Sequence, residues 1–250
     1  LLRDGGHGYC RGLRRGVLGM KLFNTALLGA SSAAPSPLLT DLVAYWKLAD
    51  VSDSHTNGLT LTNNNSLTFG TGKVGNCANN FAAASSRYFS RASSADLVLG
   101  NIDWTIACWF NSSTFAASQG LVSKHNATAC EYTLQINTSG NVVMQFGSTS
   151  ATSGAVSSAN WHLAVGWHDA AGDTINVQVD GGTPVSAATS GAAPPTNTVE
   201  FRIGSIAYVG VPFYMNGSID EAAIWRRVLT AGERTQLYNG GSGVTYPTFA

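Results

Sequence analysis

Charged residues are scarce in this chain. Its 250 residues include 14 Lys and Arg and 14 Asp and Glu, which make up 11% of the sequence and give a net charge of zero. Proteins that bind nucleic acid carry a clustered basic patch or stripe, and this sequence has none in its main part. No apolar run approaches the roughly 18 residues of a membrane-spanning helix. We therefore predict neither nucleic-acid binding nor a transmembrane segment.

Cysteine is also rare, and the four cysteines lack the Cys-x-x-Cys spacing of metal and redox sites. Cys10 lies in an N-terminal segment of different composition, which leaves the odd set Cys77, Cys108 and Cys130. Cys108 shares its predicted strand face with Trp104, so we expect a buried free thiol. One disulfide among the three remains an alternative, because the pattern fixes no pairing.

Short strands are the main pattern that is present. Apolar and polar residues alternate in five segments, which is the period of strands with one buried face. We expect the apolar set of each segment to fill the core between two packed sheets. The five sets are Trp104, Ile106, Cys108 and Phe110; Tyr132, Leu134 and Ile136; Val142, Met144 and Phe146; Trp161, Leu163, Val165 and Trp167; and Ile175, Val177 and Val179.

A strand and one short helix close the chain. Residues 217–225 alternate with the period of a strand, and Thr230 follows with Glu233 three positions on. That spacing is typical of a capping box, in which each side chain accepts the free backbone N–H of the other residue. We expect Leu237 to pin the helix to a sheet and Gly240-Gly241 to end it.

These segments resemble the concanavalin A-like lectin/glucanase superfamily, in its laminin-G-like form. The closing segment is similar to the family's Gly-x-Ile-Asp-Glu strand followed by a short helix ending in Leu-Tyr. Five further motifs occur in the family's order: Leu42-Val-Ala-Tyr-Trp46, Gly72-Lys-Val-Gly75, Trp104-Thr-Ile-Ala-Cys-Trp109, Asn160-Trp-His-Leu-Ala-Val165 and Val177-Gln-Val-Asp180-Gly. The resemblance implies an all-β fold: a two-sheet antiparallel jelly-roll sandwich with one short C-terminal helix. We place this domain at residues 38–250.

The sequence does not favour an enzyme. The glucanase branch of the superfamily carries a Glu-x-Asp-x-x-Glu pattern, which sets acid and nucleophile on one strand face, and this chain lacks it. Asp220 and Glu221 are adjacent, so a regular strand would point them to opposite faces. There is no Gly-x-Ser-x-Gly elbow, although residue types alone leave a Ser/His/Asp triad open. We predict a non-catalytic protein.

A polar strand face is the candidate binding surface. Amide and imidazole groups suit sugar hydroxyls, and an indole can stack on the C–H face of a sugar ring. A plain solvated sheet face would show the same alternation, and that alternative remains open. For Trp109, packing beneath a loop or the helix is the other interpretation. The candidate ligand-binding residues are Trp109, Gln135, Gln145, His162, Asn176 and Gln178.

Calcium is the one cofactor that the sequence suggests. Asp50, Asp53 and Asn57 lie in one loop and offer the hard oxygen ligands that calcium prefers. The same residues also make turns without metal, through hydrogen bonds to their own backbone. The resemblance implies Asp220 as a second candidate, since sandwich relatives often hold calcium near the closing strand. Its alternative is a carboxylate held by backbone N–H groups or by arginine.

The first 37 residues form a different compositional region, with a net charge of +4 against −4 for the remainder. We interpret residues 1–37 as a leader or an extended N-terminal arm. Two functions follow as hypotheses. The first is a non-catalytic binding or adhesion module that binds a glycan or a surface protein. It would be secreted or displayed on a cell or virion surface. The second is a structural assembly protein of a virion or surface layer, anchored through residues 1–37 by an arm that orders on its partner.

Overall fold

The computed structural model describes residues 36–126, 129–191, 194, 196–208 and 212–249. Predictions for the N-terminal arm therefore lie almost entirely outside the described residues. The strands are β1 (Leu42–Trp46), β2 (Thr62–Asn64), β3 (Thr68–Thr71), β4 (Asn76–Phe81), β5 (Tyr88–Arg91), β6 (Trp104–Ser112), β7 (Gln119–His125), β8 (Cys130–Ile136), β9 (Asn141–Phe146), β10 (Thr149–Ala155), β11 (Trp161–Asp169), β12 (Thr174–Val179), β13 (Val185–Ala188), β14 (Phe201–Ile203), β15 (Ser205–Ile206), β16 (Phe213–Tyr214) and β17 (Gly217–Trp225). The helix is α1 (Ala231–Tyr238), and 3-10 turns cover Pro37–Leu39, Ala83–Ser85, Ala95–Leu97 and Asn239–Gly241.

Two antiparallel sheets make the sandwich. Sheet A has eight strands in the order β13-β12-β11-β6-β17-β4-β3, with β1 also paired to β17. Sheet B has seven strands in the order β10-β9-β8-β7-β14-β5-β2. A separate two-stranded hairpin pairs β15 with β16. The predicted fold class, a jelly-roll sandwich with one short helix, is confirmed.

The core between the sheets matches four of the five predicted apolar sets. Residues of β6, β8, β9 and β12 that alternate inward belong to one buried cluster, with Val179 half-buried at its edge. Cys108 lies in this cluster with no exposed surface, and Cys77, Cys108 and Cys130 are all free thiols in the structure. Burial raises the pKa of each of the three thiols.

The predicted facing of β11 is wrong. Leu163, Val165 and Trp167 lie on the outer face of sheet A, and Trp161 packs with them. His168 faces the inter-sheet core instead, fully buried, with its ring stacked on Phe146 at a centroid distance of 4.2 Å. Both faces of β11 are covered, so its two alternating sets are equally compatible with burial. Gly166 has to be small because an added Cβ would lie 2.3 Å from the Met144 sulfur.

A second apolar cluster explains that reversal. It lies on the outer face of sheet A and joins residues of β1, β6, β11 and β17 to α1 and the C-terminal residues up to Phe249. Trp225 is completely buried there and donates its indole N–H to the Leu38 carbonyl at 2.8 Å. The layer formed by residues 226–249 is called the C-terminal cover below. It buries the whole apolar stripe that the sandwich core cannot use.

The helix in the cover has the predicted capping box. The Thr230 hydroxyl accepts the Glu233 N–H, and the Glu233 carboxylate accepts the Thr230 N–H at 2.8 Å. Leu237 packs into the outer cluster as expected. The helix ends one residue before the predicted glycines, because Asn239 itself takes the left-handed conformation at φ 47°.

A bulge in β17 changes the predicted facing of its carboxylates. The register with β6 shifts between Asp220 and Ala223, and Glu221 has a φ of 49°. Such a bulge places two successive residues against one on the partner strand. Consequently Ile219, Ala222 and Ile224 face the inter-sheet core, and the expectation of strict alternation through this strand is wrong. Within the described residues, no helix is long and apolar enough to cross a membrane.

Candidate functional site

The outer face of sheet B carries a row of polar residues that crosses all seven strands. Each residue in the row lies directly opposite the next across a strand pair, so all of them share one face. The row, called the polar row below, consists of Ser150, Gln145, Thr133, Ser123, Arg202, Ser90 and Thr62. The C-terminal cover, by contrast, packs on residues of sheet A. Ser90, Ser123 and Thr133 of the row are buried, whereas Thr62, Gln145, Ser150 and Arg202 keep accessible surface, so the polar groups that a ligand can reach lie on both sides of the buried centre of the row.

An aromatic hairpin, formed by the paired strands β15 and β16 together with Ala207 and Tyr208, lies over β7 in the middle of that face. Gly204 turns the chain with a φ of 84°, and its N–H donates to the Leu121 carbonyl at 2.9 Å. An added Cβ at Gly204 would lie 2.1 Å from the Phe81 ring, so glycine is required for this turn. The Ser123 hydroxyl donates to the Ser205 carbonyl at 2.8 Å, which holds the hairpin on β7.

Tyr208 is the most exposed aromatic side chain of the hairpin, with 49% of its surface accessible. Its ring stacks on His125 at 5.1 Å with an interplanar angle of 13°, and contacts Phe213 at 5.4 Å. His125 is buried, and its Nδ1 lies 3.3 Å from the Ala207 carbonyl. Burial lowers the pKa of His125, which favours a neutral imidazole at physiological pH. The result is an uncharged pair of stacked rings, one of them half-exposed.

A charged group lies beside the hairpin, on β14 and β5. Arg202 donates from Nε to Oε1 of Glu200 at 2.7 Å, and its Nη2 lies 2.5 Å from the same oxygen. The guanidinium carbon lies 4.6 Å from the centre of the Tyr88 ring. Tyr214 of the hairpin contacts Tyr88 at 6.0 Å. Aromatic and hydrogen-bonding groups thus occur together on this face.

Two of the six predicted ligand-binding residues lie on this surface. Gln145 belongs to the polar row, and Gln135 is two positions from Thr133 on the same strand, so it has the same facing. Both are half-buried. The Gln145 amide donates to the Gly147 carbonyl at 3.0 Å, whereas Gln135 makes no side-chain hydrogen bond to any other described residue.

Three others lie on the opposite side of the sandwich, at the C-terminal cover. Trp109 is 2% exposed and stacks on Tyr238 of α1 at 5.9 Å, in agreement with the alternative that placed it beneath the helix. Gln178 accepts from Arg234 Nε at 2.7 Å, and Asn176 is bonded to Thr174. The expected single polar face with all six residues is therefore not formed.

His162 lies on the inner side of β11, in contact with Phe110 at 5.7 Å. Its Nδ1 is 2.6 Å from Asp180 Oδ2, and its Nε2 is 3.2 Å from the Ser157 hydroxyl and 3.0 Å from the Ser157 carbonyl. The hydrogen bond with Asp180 raises the pKa of His162. Protonated, the ring donates to the carboxylate and to the carbonyl. The His162 ring thus joins the turn at Ser157 to the turn at Asp180.

The predicted calcium loop is closed by its own hydrogen bonds. Asp53 Oδ1 accepts the Tyr45 and His55 N–H groups, and Oδ2 accepts the Leu59 N–H at 2.9 Å. Asn57 donates to the Val43 carbonyl at 2.8 Å. In the described part of the chain, no three His, Cys, Asp or Glu residues are grouped as a metal site would require. These contacts fit the turn-forming alternative for the loop, and calcium at Asp50, Asp53 and Asn57 stays a prediction.

Asp220, the second calcium candidate, also has backbone partners. Its Oδ2 accepts the Lys73 and Val74 N–H groups at 2.8 and 2.9 Å. Desolvation raises the pKa of Asp220 to about 7 and that of Glu221 to about 8. Glu221 borders a 260 Å³ cavity that Thr245 also lines. Asp220 thus ties β17 to the turn at residues 72–75, whereas Glu221 lies beside Thr245 of the C-terminal cover.

The sequence analysis missed the aromatic residues that define the site, which are Tyr88, His125, Tyr208, Phe213 and Tyr214. One signal was available, because Tyr208, Phe213 and Tyr214 cluster around a Gly-Val-Pro segment typical of a turn. No local signal placed that turn on β7, since the contact depends on residues more than 80 positions apart.

Comparison with known protein families identifies the superfamily of this chain. The chain matches the family model of the concanavalin A-like lectin/glucanases superfamily (Laminin_G_3) over residues 86–233. This is more than half of the chain, and the chain belongs to that superfamily. The fold is thus lectin-like. A search among curated protein sequences found no match.

Solved structures give the same fold. The binding domain of Paraclostridial mosquitocidal protein 1 is 13% identical with a TM-score of 0.66, over 80% of this chain and 52% of that one. Domain 4 of AbnA, a GH43 extracellular arabinanase from Geobacillus stearothermophilus solved with arabinotriose, is 19% identical with a TM-score of 0.59, over 78% and 97%. Trypanosoma rangeli sialidase is 14% identical with a TM-score of 0.60, over 82% and 34%.

This chain therefore spans about half of the toxin binding domain and about a third of the sialidase. At these identities the likeness shows the fold alone. Binding domains and one domain solved with a sugar are among the structures that share it.

Proposed function

We propose that this protein is a non-catalytic carbohydrate-binding module that holds its glycan on the outer face of sheet B, against the aromatic hairpin. The observation that carries the proposal is the half-exposed Tyr208 ring, fixed by stacking on His125, beside a row of hydroxyl and amide side chains.

The chemistry of the face suits a sugar. A tyrosine ring presents an apolar surface to the C–H groups of a pyranose or furanose and keeps its hydroxyl in water. Side-chain amides supply both donors and acceptors, as sugar hydroxyls require. Because Tyr208 and His125 already pack on each other, the pair of rings loses little conformational entropy on binding.

Two further observations support binding over catalysis. Glu131, which is alone on β8, pairs with buried Lys124 at 2.7 Å, so its carboxylate is already engaged. Asp220 and Glu221 are buried on β17 of sheet A rather than on the outer face of sheet B. The arabinanase domain with bound arabinotriose supports a glycan as ligand, and the extracellular enzyme to which it belongs supports a site of action outside the cell.

The test is a glycan array that includes neutral plant and bacterial polysaccharide fragments, followed by calorimetry on the best ligand. We expect Tyr208→Ala to weaken binding by about tenfold or more, which corresponds to one lost stacking contact. Phe69→Ala is the matched control, because Phe69 is an exposed aromatic on β3 of sheet A. Running the array with calcium and with EDTA tests the calcium prediction in the same experiment.

Flat responses to all glycans in both conditions would contradict the proposal. Equal losses for Tyr208→Ala and Phe69→Ala would instead move the binding site away from the aromatic hairpin.

A further inference from the structure

The charge of the polar row is set by one ion pair. Arg202 is the only residue of the polar row with a permanent charge, and Glu200 lies two positions before it, immediately before β14. Phe201 and Ile203 of β14 point into the core, so Arg202 between them faces outward. The ion pair with Arg202 places the Glu200 carboxylate beside the guanidinium.

Arg202 is held on two sides. Its Nε and Nη2 both approach Oε1 of Glu200, at 2.7 and 2.5 Å, while its flat face lies over Tyr88. Nη1 is 3.4 Å from the Ser205 hydroxyl, at the base of the aromatic hairpin. The Arg202 side chain is 16% exposed and that of Glu200 is 34% exposed, so solvent reaches the pair. The edge that Glu200 covers, formed by Nε and Nη2, is one of the two edges through which arginine binds a carboxylate with two hydrogen bonds.

A glycan carboxylate would meet an unfavourable arrangement here. To reach the covered edge of Arg202 it would have to displace Glu200 and then lie beside that like charge. A neutral sugar has no such conflict, because its hydroxyl groups can use the amide and hydroxyl groups of the row. Tyr88 would keep the guanidinium in place even without its partner.

We propose that Glu200 is a specificity-determining residue, which occupies Arg202 and thereby makes the outer face of sheet B selective for neutral over acidic glycans. The inference rests on the proposed function and adds the class of ligand to it. Removing the Glu200 charge frees an already positioned guanidinium, and the face then accepts carboxylated sugars.

The experiment compares two forms of one polymer, dextran and carboxymethyl-dextran, by biolayer interferometry at low salt. The variants are wild type, Glu200→Gln, Glu200→Gln with Arg202→Gln, and Asp96→Asn. Asp96 is a half-buried carboxylate on the 3-10 turn Ala95–Leu97, outside the strands of sheet B, so its variant controls for the change in net charge. Circular dichroism checks that each variant is folded.

We expect Glu200→Gln to raise the ratio of carboxymethyl-dextran to dextran binding by about tenfold, as one new charge-assisted hydrogen bond allows. The gain should disappear in the double variant and shrink as salt is added. Equal ratios for Glu200→Gln and Asp96→Asn would overturn the inference, as would a gain that survives Arg202→Gln.

The two hypotheses fail differently. If wild type binds no glycan on the array, the proposed function is lost, yet a gain on carboxymethyl-dextran that needs Arg202 would still show that Glu200 masks this cation. If wild type binds acidic glycans as well as neutral ones, the proposed function stands and the role of Glu200 is refuted.

Discussion

The two outer faces of this sandwich differ in composition and in what packs on them. Sheet A turns leucine, valine and tryptophan side chains outward and buries them under the C-terminal cover. Sheet B turns out serine, threonine, glutamine and arginine, and the aromatic hairpin packs on its strand β7. An antiparallel sheet needs one buried face, and here sheet A has two. The difference indicates that the second apolar cluster stabilises the sheet A side of the molecule, and it leaves the sheet B side as the one on which we propose recognition.

Shortening a large side chain beneath the C-terminal cover should have the largest effect on stability. Trp225 is fully buried and links β17 to the Leu38 carbonyl. We expect Trp225→Ala to lower the free energy of unfolding by about 3–5 kcal/mol, through lost burial and the cavity that remains. Urea unfolding followed by circular dichroism measures this. Val185→Ala on the exposed edge strand β13 is the control, with a change within about 0.5 kcal/mol. A small effect at Trp225 would mean that the cover is dispensable.

A pH series tests the acid pair beneath the cover. Asp220 and Glu221 have pKa values raised to about 7 and about 8 by desolvation, so the folded state keeps protons that the unfolded chain releases above about pH 4. Their contribution to stability is therefore complete at low pH and is lost as pH rises to about 8. The Gln side chain of Glu221→Gln cannot ionise, so the free energy of unfolding of this variant should fall less than that of wild type as pH rises. At pH 8.5 the variant should gain on the order of 2 kcal/mol relative to wild type. Parallel pH curves for wild type and variant would contradict this assignment.

The capping box of α1 should have an intermediate effect. Thr230→Ala removes the hydroxyl that accepts the Glu233 N–H, and we expect a loss of about 1 kcal/mol. Thr235, exposed on the same helix, gives a matched control. Thermal unfolding of both variants compares them directly. If Thr235→Ala destabilises as much, helix propensity rather than capping determines the result.

Substitution on the open face should have the smallest effect on stability. Tyr208 is half-exposed, and Tyr208→Ala should change the free energy of unfolding by less than about 0.5 kcal/mol while it weakens glycan binding. Urea unfolding and the binding assay on the same preparation separate the two readouts. A loss of several kcal/mol would show that the aromatic hairpin stabilises the sandwich rather than serving recognition.

Much of the architecture follows from local patterns. The alternation in β6, β8, β9 and β12 predicted their inward residues correctly, because a period of two is set by the pleat of a strand. The capping box was equally readable, since Thr230 and Glu233 contact each other within one helical turn. Such features need only neighbours in sequence.

The candidate site was predicted only in part. Gln135 and Gln145 lie on the face that we now propose, but Trp109, Asn176 and Gln178 belong to the covered side and His162 to the inner side. All six side chains have groups that can bind a sugar. Alternation assigns the residues of a strand to two faces but does not show which face is covered by other parts of the chain. For this reason the predicted facing of β11 was reversed.

The sequence by itself determined the class of fold, most of its strands, the helix cap and the membership of a lectin-like superfamily. Tertiary structure alone decided which outer face is covered, because the C-terminal residues could pack on only one sheet. It also decided the bulge at Glu221 and the position of Tyr208 beside His125, since both depend on contacts between segments far apart in the chain. Local periodicity fixes the alternation along each strand, whereas function depends on which of the alternating sets remains exposed to solvent.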